Sequence, residues 1–264
     1  MTSMLVPRLR AAVKAAAIHF GLSMLLAAGA ALLVWGIWYP HPFDQLSGGR
    51  QLFILVVVVD VICGPALTLI VFDRSKPRAE LIKDLSIIGL LQCAALLYGL
   101  STVYEARPLF LVHDVERFRV VAKPDYLGVD VTSQINGLPE ALHPRLFSGP
   151  VLVGAHPPQD PAARQAILVE ALRGGRDFAQ RPEYYVPYDD AYALAVTRRA
   201  RPLKVFVDRF PDAAGEVEAV LVRAKVPVVD AMYLPVVHRQ DWIAILDGQG
   251  QLLGFVPGDG FAVH

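Results

Sequence analysis

Between Lys14 and Asp44 the chain carries no aspartate, glutamate, lysine or arginine, and residues 15–39 are almost wholly apolar. Two more such runs follow: Gln51 to Phe72, with Asp60 as its one charge, and Leu85 to Tyr104, with none. A helix needs about 20 apolar residues to cross roughly 30 Å of hydrocarbon, and there it satisfies its own backbone. The runs predict three transmembrane helices, at about residues 16–38, 51–72 and 85–105. The first also has the basic start and the Ala28-Gly29-Ala30 of a signal peptide. Its apolar stretch continues through Leu32, Val34, Trp35, Ile37 and Trp38, past the roughly 7–15 residues usual for a leader. An uncleaved helix fits better.

Basic residues flank the runs unevenly. Arg8, Arg10 and Lys14 precede the first, and Arg74, Lys76, Arg78 and Lys83 separate the second from the third. The loop between the first two holds only Arg50. The excess of positive charge places the N-terminus and the 73–84 loop in the cytoplasm. Trp35, Trp38 and Tyr39, with Tyr98 and Tyr104, supply aromatic belts on the other side. The segment after Tyr104 is then expected outside the cytoplasm.

Composition agrees once it is divided. Only 19% of the 264 residues are charged, and Lys+Arg and Asp+Glu are both 25. A typical soluble domain has about a quarter charged residues, and a nucleic-acid partner would call for a basic excess. Residues 1–105 hold 8 basic and 6 acidic residues, which leaves 17 and 19 for residues 106–264. That second part reads as a soluble domain without cysteine, long enough to bury a core by packing alone.

Its local signals predict an α+β domain with a small, mainly antiparallel sheet. Leu109–His113 and Arg117–Val121 read as a hairpin, as do Trp242–Leu246 and Leu252–Val256 around Asp247-Gly248-Gln249-Gly250. Asp160-Pro161 caps a helix that Gly174-Gly175 stops, and 189–199 reads as another. Val217–Val222 fits helix and strand equally.

Asp60 stands out because an acid deep in hydrocarbon costs about 2.5–3.5 kcal/mol on insertion scales. Gly64-Pro65 follows one turn later, where proline cannot donate to the carbonyl four residues back. Two readings stay open. Asp60 ties the helices together, with Gln92 or Thr68 as partner, or it faces a lateral groove and meets a polar group on another membrane segment. Asp60, Gly64, Pro65 and Gln92 are therefore the candidate partner-binding residues. His19 reads as an interfacial residue, and Cys63 and Cys93 as small packing residues at similar depth.

Beyond residue 105 no motif for catalysis, metal or cofactor is found. His113, His143, His156 and His238 are isolated, no paired-histidine or CxxC spacing occurs, and Gly248-Gln249-Gly250 joins strands instead of opening a helix. Asp189-Asp190 reads as a helix cap.

Trp38-Tyr39-Pro40 with Pro42, Asp60 with Gly64-Pro65, Leu67 to Phe72, Lys83-Asp84-Leu85, Gln92, Tyr98-Gly99, Val103-Tyr104 and Arg107-Pro108 occur in order. In that order they resemble the TfpX/TfpZ family of type IV pilin accessory proteins, over about residues 15–121 and loosely at the terminal hairpin. The resemblance implies a bacterial inner-membrane protein, not an enzyme and without cofactor, with residues 106–264 in the periplasm. It would assist, chaperone-like, the assembly or display of a type IV pilin encoded nearby, with the lipid bilayer as its other partner and no nucleic acid or small-molecule substrate. Asp60 acquires no role from it. Two other readings remain: a periplasm-facing membrane enzyme that modifies an envelope substrate, and a sensor subunit without its own output domain.

Overall fold

A computed structural model describes residues 2–73 and 75–262. Arg74, one of the basic residues used for orientation, lies outside the described residues. The chain divides into two units, residues 1–37 with 49–105, and residues 38–48 with 106–264.

The first unit is helical. Helix α1 spans Thr2–Leu33 and runs into a π-helical turn, Val34–Trp38; after a short α2, Phe43–Leu46, come α3, Gly49–Val71, and α4, Arg78–Glu105. Among the described residues two helical stretches are long and apolar enough to cross a membrane, Arg8–Trp38 and Arg78–Glu105. Three were expected. Within α3 the described apolar stretch is the shorter Val56–Val71. Helix α3 runs without a break through Pro65. Helices α1 and α4 each pack closely along α3 and at most marginally on each other.

The second unit is built on an eight-stranded mixed sheet, larger than the small one expected; five of its seven described strand pairings are antiparallel, as expected, and two are parallel. In chain order its elements are β1 Pro108–Asp114, β2 Arg117–Ala122, α5 Thr132–Asn136, β3 Val151–Ala155 and α6 Pro161–Leu172. Then follow β4 Tyr185–Pro187, α7 Asp190–Val196, β5 Arg201–Pro202, α8 Leu203–Arg209 and α9 Ala214–Ala224. The chain closes with β6 Met232–Val237, β7 Asp241–Leu246 and β8 Leu252–Pro257. The spatial order is β4-β3-β1-β2-β6-β7-β8, with β5 paired to β6. The two expected hairpins are present, but β1–β3 and β2–β6 are parallel. Parallel pairs join segments distant in sequence, so no local turn signal announces them.

Both faces of the sheet are covered, so its strands read as apolar runs rather than alternations. One face carries Leu111, Phe118, Val120, Leu234, Trp242 and Ala244. The other carries Phe110, Val112 and Val153, packed with Ile167 of α6, and farther along Ile243 and Ile245, packed with Phe206 of α8 and Leu221 of α9. Residues 38–48 complete the first face. Phe43 and the fully buried Leu46 enter the cluster of Leu111 and Trp242, the Trp38 indole donates to the Leu146 carbonyl at 2.9 Å, and His238 Nδ1 lies 3.1 Å from the Leu46 carbonyl. Burying two such side chains contributes about 1.5–3 kcal/mol each.

Candidate functional site

Asp60, Gly64 and Thr68 recur every four residues of α3, so they share one face of the helix. All three are buried. Gln92 of α4 lies against this face and donates from Nε2 to the Asp60 carbonyl oxygen at 2.8 Å; its distance to Asp60 Oδ1 is 3.5 Å. Gly64 makes this approach possible, because a Cβ there would lie 1.9 Å from Gln92 Nε2. Farther along the same interface Gly99 of α4 receives Val56 in the same way. Small residues at such contacts allow helix backbones to come close.

One turn beyond Gly64 on the same face, His19 Nδ1 of α1 and Thr68 Oγ1 are 2.6 Å apart. Thr68 is thus the partner of His19, and Gln92 is the partner of Asp60. A histidine beside a hydroxyl could serve nucleophilic chemistry, but Thr68 is only 2% exposed, and its oxygen is closed to a substrate. The pair links α1 to α3.

Between α1 and α4 a cavity of about 150 Å³ remains, with Asp60 as the α3 residue that lines it. Helix α1 lends Ser23 and Leu26 to its wall, and α4 lends Gly89, Gln92 and Cys93. Gln92 Oε1 is buried and accepts no hydrogen bond among the described residues. The arrangement is a seam in apolar walls with a carboxylate and an amide oxygen inside it. Pro65 is not among the residues that line it; its missing N–H leaves the Val61 carbonyl without its usual donor. Cys63 and Cys93 are free thiols and exposed rather than packed between helices.

Ser23 and His19 are the residues that sequence reasoning did not bring to this site. His19 lies near the start of the first apolar run and Thr68 near the end of the second; antiparallel packing of those runs brings them level, and that was the available signal.

In the second unit polar side chains are held in structural roles. Asp189 caps α7 by accepting from the Tyr192 N–H at 2.8 Å, and Asp160 caps α6. Arg199 pairs with Glu116 at 3.0 Å. His113 is buried beside the Tyr192 hydroxyl, 2.9 Å from Nδ1, with Nε2 unpartnered among the described residues. Burial pushes its pKa down to about 4, which keeps the ring neutral at neutral pH. Among the described residues no group of three or more His, Cys, Asp or Glu is placed to hold a metal.

Residues 7–48 match the family model described as Fimbrial assembly protein FimB. These residues comprise most of α1 and the segment that enters the sheet core of the second unit. Over 257 residues the chain is 32% identical to the "Fimbrial assembly protein, serogroup I" of Dichelobacter nodosus, covering 95% of this chain and 96% of that protein. It is 31% identical to the serogroup E1 protein of the same organism, with the same coverage. It is 40% identical over 116 residues to the protein of serogroups C1 and C2, covering 44% of this chain and 88% of the other. No solved structure matches.

Proposed function

Because the chain belongs to the fimbrial assembly protein FimB family, we propose that it is an inner-membrane accessory protein that holds the apolar helix of a fimbrial subunit in the seam between α1 and α4. The observation that carries this reading is the seam itself. Helices α1 and α4 pack closely on α3 and at most marginally on each other, and the cavity between them contains Asp60 and a Gln92 oxygen unpartnered among the described residues. A fourth helix would complete the bundle, and a donor on it would meet an acceptor that otherwise lies unsatisfied. The resemblance to the TfpX/TfpZ accessory proteins is compatible with the family and points to a type IV pilin as the subunit. The protein acts by binding and positioning rather than by catalysis.

The outward surfaces of the helices support a lipid surround. Leu25, Leu32, Ile70, Leu90 and Leu97 are each more than 60% exposed, and contiguous apolar surface of that kind is rare on proteins in water. The two long apolar helices are compatible with an inner-membrane protein. Helix α3 has 23 residues and rises about 35 Å, enough to serve as a third span. Three spans with the basic residues inside leave residues 106–264 in the periplasm.

Photo-crosslinking tests the seam. A photoreactive residue at Leu26 or Cys93, in cells making the cognate subunit, is expected to yield an adduct of the combined mass. Adducts from Leu25 and Leu97 with none from the seam positions would overturn the proposal.

A further inference from the structure

The second unit holds a cavity of about 420 Å³ beside the β1–β2 turn and α6, within the roughly 300–1,000 Å³ of ligand pockets. Ile167, Leu168, Phe178 and Phe261 give it apolar walls. Asp114 also lines it, with its side chain only 6% exposed. Asp114 Oδ2 accepts from Arg117 Nε and Nη2 at 3.3 and 3.1 Å, while Oδ1 accepts no hydrogen bond among the described residues. Arg117 cannot compensate it fully, because the same Nη2 is 2.8 Å from Asp177, which Arg119 also grips at 2.6 Å. Burial accordingly holds the Asp114 pKa above the usual carboxylate range despite Arg117. Val115, at the turn between the strands, lines the same cavity and has φ of 55°, a left-handed conformation that a β-branched residue keeps only under constraint.

We propose that this cavity binds a basic side chain of a partner polypeptide: a lysine whose methylene stem lies along Ile167, Leu168 and Phe178 and whose ammonium donates to Asp114 Oδ1. Arg164 also lines the cavity and would attract an acidic group instead. The two options differ in solvation. Arg164 is exposed, so its charge is already hydrated and gains little from pairing. The Asp114 side chain is only 6% exposed and Arg117 donates to its Oδ2 alone, so Oδ1 keeps little of its hydration and a matched donor repays part of a cost that the fold already bears. The apolar walls suit a lysine stem better than a short acidic side chain. This site lies outside the apolar helices and stands apart from the seam proposal.

The test titrates the full-length protein in detergent micelles with Nα-acetyl-lysine methylamide and with its norleucine and glutamate counterparts, followed by ligand-observed NMR. The lysine probe is expected to saturate at millimolar concentration and to bind about tenfold more tightly than norleucine, with glutamate weakest. Asp114→Asn is expected to erase the advantage of lysine. Equal affinity for lysine and norleucine, a preference for glutamate, an unchanged lysine preference in Asp114→Asn, or no saturation by about 50 mM, which is weaker than about −2 kcal/mol, overturns the proposal. Leu168→Arg serves if Asp114→Asn folds poorly, since Leu168 is 59% exposed. It sets a cation in the wall and is expected to abolish lysine binding; retained binding there overturns the proposal equally.

Discussion

Gln92 holds Asp60 by its main chain: Nε2 donates to the Asp60 carbonyl oxygen at 2.8 Å and stands 3.5 Å from the carboxylate. The bond that fastens α4 to α3 therefore does not consume the charge of Asp60. A residue with this geometry can tie the helices together and still offer its carboxylate to the seam. The two readings of Asp60 become separable, because different atoms of it serve them.

Gly64→Ala is expected to push α4 away from α3. The added Cβ would sit 1.9 Å from Gln92 Nε2, and overpacking of this kind costs about 1–3 kcal/mol. Thermal unfolding in detergent should show a lowered midpoint, and adding Gln92→Ala should recover part of the loss. An unchanged midpoint in the single variant would exclude the close approach.

Asp60→Leu keeps the main-chain acceptor for Gln92 and removes the carboxylate. Hydrogen bonds between membrane helices average about 0.6 kcal/mol in double-mutant cycles, so the amount of protein in the membrane should stay near wild type. Co-purification of the fimbrial subunit should fall several-fold. If the variant instead disappears from the membrane, the carboxylate serves the bundle and not the partner.

Leu46→Ala is expected to destabilise the sheet unit from a position between the first two long helices. Leu46 is fully buried in the cluster of Leu111 and Trp242, and such truncations cost about 2–5 kcal/mol. Hydrogen exchange of the full-length protein should speed up in β2, β6 and β7. Unchanged protection in those strands would mean that residues 38–48 do not contribute to the core.

His113 makes the sheet unit sensitive to acid. Its pKa falls from an ordinary 6.5 to about 4 on burial, so between those values the unfolded chain binds the extra proton. Stability is complete above pH 6.5 and is lost as the pH falls toward 4, by about 3 kcal/mol at most. His113→Phe should flatten that part of a pH series of denaturant midpoints. A variant with the same pH slope as the wild type would assign the effect to other groups.

Signals confined to a few neighbouring residues were legible. The Asp160 cap and the 247–250 turn come from local propensity, and the structure places each where the chain suggests, whereas α1 and α4 begin well before their apolar runs, at Thr2 and Arg78. Strand β6 was not legible. Pro235 sits within it and argues against a central strand, since proline has no N–H to give. The tertiary arrangement accommodates it: on that side β6 pairs with β5 at Met232 and Tyr233 and with β2 at Val236 and Val237. Pro235 falls in the gap between them. The pairing of Gln92 with Asp60 was foreseen as one of two options, and only packing decided that Thr68 goes to His19 instead.

By itself the sequence determined that three apolar runs precede a charged domain, and that one acid lies among them. These follow from length, hydropathy and charge, which need no knowledge of neighbours. Tertiary structure decided that residues 38–48 belong to the core of the sheet unit, that the sheet is mixed, and that α1 and α4 leave a seam over Asp60. Each of these depends on contacts between residues far apart in the chain, and no local pattern of residues encodes which distant surfaces will meet.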